Sequence, residues 1–311
     1  MADNQSKIYD LVIVGAGSAG LAASIYASRY KINHLVVAHK PGGQAAWGHL
    51  IENYPGYQSI AGQELMDKFI EQAKNLGAEI KPVEVLEIIK QGQGFLIALR
   101  GEETIQTRSL ILALGTEHKI LNIPGEKEFW AKGVSYCATC DAPLYKNRTV
   151  AVVGGGDSAL TAALLLASYA TKVYLIHRRD VYRGQAAWEE KVMATPNIEK
   201  IFSTNLVVIR GDQVVREIAL DKPYQGAMSL KVDGLFVEIG SAPSTYLAQK
   251  LGAALDDQEY IKVDQNCQTN IAGVFAAGDV TNQTRLKQIL TAASQGAMAT
   301  YGVYQYLNKK S

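Results

Sequence analysis

Two cysteines separated by two residues, Cys137 and Cys140, are the side chains whose spacing most directly suggests chemistry. Such a pair can bind zinc, attach haem, pack as two inert thiols or form a redox-active disulfide. Zinc needs further ligands, and the sequence has neither a second Cys-x-x-Cys nor a His pair; c-type haem needs a His where Asp141 stands. Two inert thiols remain an alternative, but a nucleotide-binding pattern follows closely, which favours a redox-active dithiol.

Asp141 directly follows the second cysteine. A carboxylic acid beside a dithiol can exchange the proton that thiol–disulfide chemistry requires, provided that partial burial raises its pKa. The alternative is that Asp141 caps a helix. The third cysteine, Cys267, has no partner in the sequence and is expected to pack structurally. Three cysteines in 311 residues indicate a reducing compartment, and we expect a cytoplasmic protein.

The composition is that of a globular enzyme, with 48% hydrophobic residues, 20% charged residues and a net charge of +1. It excludes collagenous, disordered and disulfide-scaffold classes. Nucleic-acid binding is not expected, because the sequence has no block of clustered Lys and Arg. The polar N-terminus lacks the features of a signal peptide, and residues 11–27 are too interrupted by glycine for a membrane span.

A strand–glycine turn–helix–strand pattern occurs twice and must position these groups. A β-branched run at residues 9–14 precedes a turn at 15–20, a helical stretch at 21–30 and a second strand at 34–38. The same order recurs at residues 150–153, 154–159, 160–169 and 172–176. In such turns the first glycine permits the tight turn, the second admits a pyrophosphate, and the third position allows close helix–strand packing. Accidental glycine turns are the alternative to two nucleotide-binding units.

The second unit carries a cluster of basic residues where cofactor specificity is decided. His177, Arg178 and Arg179 follow its second strand, with Arg183 shortly after. Arginine binds phosphate with two parallel hydrogen bonds, so a 2′-phosphate, and therefore NADPH rather than NADH, is favoured. A solvated basic helix start is the alternative.

The first unit has no acidic residue at the end of its second strand, but a second glycine cluster follows there. Gly42, Gly43 and Gln44 could approach the same cofactor or form an ordinary turn. A buried strand predicted at residues 110–116 contains Gly115, and another at 274–280 contains Gly278 and Asp279. An Asp at the carboxyl end of a strand faces the ligand cleft of an open α/β sheet, or caps the next helix. An amphipathic helix is predicted at 288–306.

Together these motifs, with Glu52-Asn53-Tyr54-Pro55-Gly56 and Lys287-Gln288, resemble the low-molecular-weight thioredoxin reductases over nearly the whole chain. These are flavoproteins with two dinucleotide-binding domains. The resemblance implies an α/β fold with two Rossmann-like three-layer domains, the second inserted in the first. Residues 1–116 and 246–311 would bind FAD, and residues 117–245 would bind NADPH and carry the dithiol. It also implies a homodimer.

The resemblance also assigns roles to residues. Cys140 would face the flavin, Cys137 would attack the disulfide of the protein substrate, and Asp141 would be the acid. Asp279 would hold the ribityl chain, and the helix beginning at Gln288 would direct its N-terminus at the flavin. The FAD-binding residues implied are Gly15, Gly17, Ser18, Ala19, Gly20, Gly42, Gly43, Gln44, Asn53, Gly115, Gly278, Asp279, Lys287, Gln288 and Ile289. The NADPH-binding residues implied are Gly154, Gly156, Asp157, Ser158, Ala159, His177, Arg178, Arg179 and Arg183.

The resulting functional hypothesis is an NADPH-dependent thioredoxin-disulfide reductase acting through FAD on a thioredoxin-like protein, with no metal and no membrane partner. One alternative keeps the flavin and dithiol chemistry but uses ferredoxin or NADH as donor, or another disulfide as acceptor. A second is a non-catalytic flavin redox sensor. Since the dithiol and the NADPH turn must both reach one flavin, a domain rotation is expected, with hinges near Gly115 and Gly240.

Overall fold

The computed structural model describes residues 8–47 and 51–309. It divides into two compact units, one formed by Met1–Glu117 and Pro243–Ser311 and the other by His118–Ala242. The N-terminal segment 1–7, for which no signal peptide is predicted, lies outside the described residues. Which nucleotide each unit binds stays a prediction.

The elements are numbered in chain order. The strands are β1 (Ile8–Val14), β2 (His34–Val37), β3 (Glu79–Lys81), β4 (Val85–Gln91), β5 (Gly94–Leu99), β6 (Thr104–Leu112), β7 (Thr116–His118), β8 (Val134–Ser135), β9 (Thr149–Gly154), β10 (Lys172–Ile176), β11 (Ile198–Ile201), β12 (Leu206–Gly211), β13 (Val215–Tyr224), β14 (Ala227–Lys231), β15 (Gly234–Glu238), β16 (Ser241–Pro243) and β17 (Val274–Ala276). The helices are α1 (Ser18–Arg29), α2 (Gly62–Asn75), α3 (Ala138–Asp141), α4 (Asp157–Ala167), α5 (Ala186–Ala194), α6 (Tyr246–Leu251) and α7 (Ile289–Asn308), and two 3₁₀ turns span Gln44–Trp47 and Ala142–Tyr145.

The first unit contains a parallel sheet in the order β3-β2-β1-β6-β17, extended by the antiparallel strands β5 and β4. Alternate residues of β1 belong to two different cores, as the two-residue period of a strand requires. Leu11 and Ile13 pack with α1, α2 and α7, whereas Val12 and Val14 pack with the β4–β5 hairpin and α6. The sheet is therefore the middle of three layers.

The second unit repeats this order with its own parallel sheet, β11-β10-β9-β15-β8. One face of the sheet packs on α3 and α4, and the other packs on the antiparallel sheet β12-β13-β14. In both sheets the strand before the glycine turn lies where the strand order reverses. Ligands of open α/β sheets bind at this position, beyond the carboxyl ends of the strands.

The chain passes from the first unit to the second after Glu117 and returns after Ala242. Within each unit, the residues beside these two crossing points lie close together. In the second unit the Lys119 amide donates to the Gly240 carbonyl oxygen at 2.9 Å, and in the first the Ser244 amide donates to the Gly115 carbonyl oxygen at 3.1 Å. Gly115 and Gly240 both have positive φ, +64° and +94°. In the part of the chain that the structure describes, no helix has the length and apolar character needed to cross a membrane.

Candidate functional site

The first glycine turn has two glycines that the fold itself requires. Gly15 has φ +109°, and a Cβ there would lie 2.2 Å from the Ala113 carbonyl oxygen. A Cβ at Gly20 would lie 1.8 Å from the Gly15 carbonyl oxygen, so this glycine permits α1 to pack directly on the turn. Both distances are far below van der Waals contact, and a larger residue at either position requires the backbone to move.

Gly17 differs from these two, because no packing contact explains it. Its φ and ψ of −80° and −169° are ordinary for any residue. Among the described residues, the one atom near a Cβ built there is the Gly43 Cα at 3.9 Å. Gly17 is the N-cap of α1, so it lies at the helix N-terminus, where the backbone amides of the first turn are available to an anion. The structure thus gives Gly17 no packing role, and its predicted contact with a pyrophosphate stays a prediction.

The second glycine cluster lies against the first turn. The Gly42 amide donates to the Ala16 carbonyl oxygen at 2.8 Å, and a Cβ at Gly43 would lie 3.0 Å from the Gly17 Cα. The Gln44 side chain donates to the Thr116 carbonyl oxygen. The structure therefore brings this cluster to the turn that carries Ser18 and Ala19, both of which are buried in α1.

The turn carrying Asp279 also reaches this place. Gly278 has φ +86°, and a Cβ there would lie 2.9 Å from the Ala19 Cβ. The Gly278 amide donates to Gln295 Oε1 at 2.7 Å. Asp279 does not cap the next helix, because α7 begins at Ile289 with Gln288 as its N-cap. Burial raises the pKa of the Asp279 carboxyl, and the nearby Lys287 ammonium opposes that rise.

The N-terminus of α7 is held by polar side chains. Gln288 and Thr291 form a reciprocal capping box, and Asn53 Nδ2 donates to Gln288 Oε1 at 2.9 Å. Ile289 packs against the small core around Ile51 and Ile60. Lys287 Nζ lies 4.4 Å from the centre of the Tyr260 ring, and burial lowers the pKa of this ammonium.

The second glycine turn repeats the division of roles. Gly154 has φ +150°, and a Cβ there would lie 2.1 Å from the Glu238 carbonyl oxygen; a Cβ at Gly155 would lie 2.4 Å from the His177 ring. Ala159 is fully buried at the third position, and Ser158 is exposed. At Gly156 the described residues offer no atom within 4 Å of a Cβ, and at Gly17 they offer only the Gly43 Cα at 3.9 Å. Both turns thus keep a glycine where the fold alone does not need one.

The basic segment is fixed onto this turn by backbone hydrogen bonds. The Arg183 amide donates to the Gly155 carbonyl oxygen at 2.7 Å. Asp157 accepts from the Gln185 amide at 2.6 Å and from Gln185 Nε2 at 3.2 Å, so its carboxylate fixes the start of α5. Arg178, Arg179 and Arg183 are exposed. Across residues 8–47 and 51–309, none of these three guanidinium groups is paired with a carboxylate.

His177 lies under the turn and is 4% exposed. Burial lowers the pKa of its imidazole, and Arg183 and Arg179 lower it further. Nearby Tyr182 is 7% exposed, and its ring centre lies 5.8 Å from that of His177. The described residues provide no hydrogen-bond partner for His177 Nε2 or the Tyr182 hydroxyl.

Cys137 and Cys140 form a disulfide, with Cα atoms 5.3 Å apart. Cys137 is the N-cap of α3, and its sulfur accepts a hydrogen bond from the Cys140 amide at 3.2 Å. A hydrogen bond of this kind favours the thiolate when the pair is reduced. Cys140 is exposed and Cys137 is partly buried. Cys267 is fully buried, and burial raises the pKa of its thiol to about 12, which fits its predicted structural role.

Asp141 ends α3 and precedes the 3₁₀ turn. Asp141 occupies the N-cap position of that turn, but its side chain makes no capping hydrogen bond there. Tyr136, which directly precedes Cys137, donates its hydroxyl to Glu126 Oε1 at 2.7 Å. Burial, together with this carboxylate, raises the pKa of Tyr136. Glu126 also accepts from the amides of Leu121 and Asn122.

Sequence reasoning missed three polar residues that hold these loops. Gln295 fixes the Asp279 turn through the Gly278 amide and the Thr281 hydroxyl. Gln185 binds Asp157, and Glu126 fixes Tyr136 beside the disulfide. The signal in the sequence is the spacing of Gln295, which shares a helix face with Ala292 and Ala299, both buried in the structure.

The chain matches known proteins over almost its full length. Residues 9–296 match the pyridine nucleotide-disulphide oxidoreductase family. A thioredoxin reductase of Treponema pallidum (strain Nichols) is 41% identical over 303 residues, covering 96% of this chain and 97% of that protein. A thioredoxin reductase of Listeria innocua serovar 6a is 38% identical over 309 residues, covering 98% and 96%. The crystal structure of Lactococcus lactis thioredoxin reductase in its FR conformation has a TM-score of 0.92 at 36% identity, covering 97% of this chain and 99% of that chain. The predicted fold class is confirmed by this likeness.

Proposed function

The chain belongs to the pyridine nucleotide-disulphide oxidoreductase family, and we propose that it is a thioredoxin reductase using NADPH, FAD and the Cys137–Cys140 disulfide. The observation that carries the proposal is the position of this disulfide. It follows β8 in the same parallel sheet whose strand β9 leads into a nucleotide-type glycine turn. A redox-active pair and a dinucleotide turn are thus built into one unit.

The residues of the two turns suit the two cofactors. We assign FAD to the first unit, because Gly17, the Gly42–Gly43 cluster and the Asp279 turn meet at the N-terminus of α1. We assign NADPH to the second unit, because Gly156 leaves space at the N-terminus of α4 and because three arginines that pair with no carboxylate of the described residues lie beside it. FAD held in the first unit would supply the two-electron chemistry that connects hydride from the nicotinamide to reduction of the disulfide.

The thiol chemistry follows from the environment of each cysteine. In the reduced pair, the Cys137 sulfur lies where the Cys140 amide favours its thiolate, so Cys137 attacks one sulfur of the substrate disulfide. The other substrate sulfur leaves as a thiolate and takes a proton, for which Asp141 is the nearest candidate in sequence. Cys140 then attacks Cys137 in the mixed disulfide, releases the second substrate thiol and restores the Cys137–Cys140 bond.

The acceptor in this proposal is a thioredoxin-like protein, and three further features belong to it. Gly115 and Gly240 act as hinges, since both have positive φ and a Cβ at either would meet nothing within 4 Å. The protein forms a homodimer, supported by the exposed apolar side chains Leu290, Met298 and Tyr301 along α7. It works in the cytoplasm, which its low cysteine content supports.

An anaerobic titration tests the function directly. The flavin-containing protein is titrated with NADPH and, separately, with NADH while the flavin absorbance is followed. Reduction of a thioredoxin is then measured at steady state. We expect bleaching by NADPH at lower concentration than by NADH, and continuous NADPH consumption only with the disulfide acceptor present.

The control variant is Cys140→Ser, which should keep NADPH-driven bleaching and lose thioredoxin reduction. If reduced ferredoxin bleaches the flavin and NADPH does not, the electron donor is ferredoxin and the proposed use of NADPH is wrong. Bleaching without turnover on any disulfide acceptor would favour the redox-sensor alternative. The exposed arginines without carboxylate partners favour NADPH-driven turnover over both.

A further inference from the structure

Glu238 occupies a special position in the second unit as the last residue of β15. This strand lies between β9 and β8 in the sheet. Glu238 is paired in register with Gly154, the first glycine of the second turn. On its other edge, β15 pairs with β8, with Leu235 opposite Val134 and Phe236 opposite Ser135. Because the two strands are parallel, Cys137 follows Ser135 by the same two residues by which Glu238 follows Phe236. Glu238 therefore lies between the glycine turn and the disulfide.

The Glu238 side chain lies on the face that carries α3 and α4. Side chains alternate between faces along a strand. Leu235 and Val237 pack in the core on the β12–β14 face, whereas Phe236 packs with Ala138 of α3 and Leu160 of α4. Glu238 follows Phe236 by two residues, so it lies on the same face of the sheet, the face that packs on α3 and α4.

The Glu238 carboxyl has no hydrogen-bond or ion-pair partner among the described residues. Glu238 is partly buried, and in the described part of the chain it makes neither an ion pair nor a side-chain hydrogen bond. Burial raises its pKa to about 8. Of the groups on neighbouring elements, Asp157 is held by Gln185, Tyr136 is held by Glu126, and the disulfide does not titrate. Asp141 is the remaining acid on α3, and Tyr145 packs on Phe236 of the same face. Arg178 and Arg179 follow β10 on the far side of β9, whereas the Arg183 backbone lies against the glycine turn through its bond to Gly155.

The sheet topology indicates what passes over this carboxyl. The strand order reverses at β9, so a dinucleotide crosses the sheet between β9 and β15. The basic segment after β10 fixes the 2′-phosphate end, and the pyrophosphate lies at the turn after β9. The nicotinamide end is then directed over the carboxyl end of β15.

We propose that Glu238 contacts the nicotinamide end of the nucleotide and makes the preference between NADP⁺ and NADPH depend on pH. This inference rests on the proposed function. In its neutral form the carboxyl donates a hydrogen bond to the carboxamide oxygen of either nucleotide. In its ionised form it attracts the positively charged pyridinium ring of NADP⁺, and the uncharged dihydronicotinamide ring gains nothing comparable.

The test compares two ligands that share the 2′-phosphate and differ in ring charge. NADP⁺ and the non-reducing analogue 1,4,5,6-tetrahydro-NADPH are titrated by calorimetry into the FAD-containing protein at pH 7 and pH 9. Because both ligands carry the same phosphates, the pH effects of the arginines and the 2′-phosphate cancel in the ratio of affinities. If the pyridinium lowers the Glu238 pKa from about 8 to about 7, the ratio in favour of NADP⁺ rises about fivefold between these pH values.

The variant Glu238→Gln keeps the size and the neutral hydrogen bond, and its ratio should not change with pH. Glu217→Gln is the matched control in the same unit, because its carboxylate is paired with the exposed Arg210. It should keep the wild-type dependence. A wild-type ratio that stays flat from pH 7 to pH 9 overturns the proposal without any variant, as does a wild-type dependence in Glu238→Gln.

A parallel assay separates this inference from the proposed function. If the wild-type protein reduces thioredoxin with NADPH but shows a flat ratio, the function stands and the role of Glu238 is wrong. If the wild-type protein binds neither ligand, the NADPH assignment fails and the role of Glu238 fails with it.

Discussion

The substitution Gly17→Ala separates what the fold needs from what the cofactor needs. The backbone at Gly17 suits alanine, and the Gly43 Cα at 3.9 Å is ordinary contact for the new Cβ. Alanine is less favourable than glycine at an N-cap, but it restricts the unfolded chain, and these two effects oppose each other. We expect the free energy of unfolding of the FAD-free protein to change by less than about 1 kcal/mol.

The effect on FAD should be much larger. The added methyl group occupies the space through which a pyrophosphate reaches the first amides of α1. Hydrogen bonds to a charged group contribute about 1.5–3 kcal/mol each, so losing two of them weakens binding by at least about 100-fold. The helix cannot shift to move the methyl group aside, because α1 is fixed by its packing on α7.

Gly20→Ala is the contrasting variant. Its Cβ would lie 1.8 Å from the Gly15 carbonyl oxygen, so α1 must move away from the turn. We expect a loss of about 3 kcal/mol or more in unfolding free energy even without FAD. Urea unfolding of both apoproteins and fluorescence-quenching titration with FAD measure the two effects. Wild-type FAD affinity in Gly17→Ala, or unfolding of Gly17→Ala at the urea concentration of Gly20→Ala, would refute the reasoning.

Three further predictions concern the second unit and the core. Arg178→Ala combined with Arg179→Ala should raise the KM for NADPH by about 10- to 100-fold and leave that for NADH nearly unchanged, whereas Arg216→Ala, at an arginine paired with Asp212, should change neither in steady-state assays. Tyr182→Phe removes a buried hydroxyl that the described residues do not bind, so urea denaturation should show a gain of about 1 kcal/mol, and an equal loss would contradict this. Burial lowers the pKa of His34, whose Nε2 lies 2.9 Å from Ser24 Oγ, so the folded state resists a proton that the unfolded state takes up near its ordinary value of 6.5. The contribution of His34 to the free energy of unfolding should therefore be fully present above pH 6.5 and should decrease below it by at most about 1.4 kcal/mol per pH unit. His34→Gln should make the free energy of unfolding less dependent on pH, as measured by denaturation from pH 7.5 to 5.

The repeated units could be predicted from the sequence because each signal is local. A strand, a glycine turn and an amphipathic helix all fall within about thirty residues. The ends of two strands were predicted too far along the chain. β6 ends at Leu112 rather than at residue 116, and β17 ends at Ala276 rather than at 280. Gly115 and Gly278, with positive φ, turn the backbone out of the sheet before those residues.

What could not be predicted depends on contacts between distant segments. Gln295 is one of several polar residues in an amphipathic helix, and its role appears only when the Gly278 amide comes within hydrogen-bond distance. Glu238 reads as the end of a strand, and only the strand order places it between Gly154 and the cysteine pair. Asp157 is predicted to bind a cofactor, and the structure adds a hydrogen bond to Gln185 that the sequence does not indicate, because a segment 28 residues away folds over it.

The hydrogen bonds beside the crossing points bear on how such a chain can arise. The Ser244 amide reaches Gly115, and the Lys119 amide reaches Gly240, so each unit is nearly a closed circle at the place where the chain leaves it. When the gene segment for the second unit is inserted into that for the first at such a place, neither unit is distorted. The entropy cost of bringing the two ends of the first unit together across the inserted second unit is small. Two such units can therefore be recombined as separate modules, each of which keeps its own glycine turn intact.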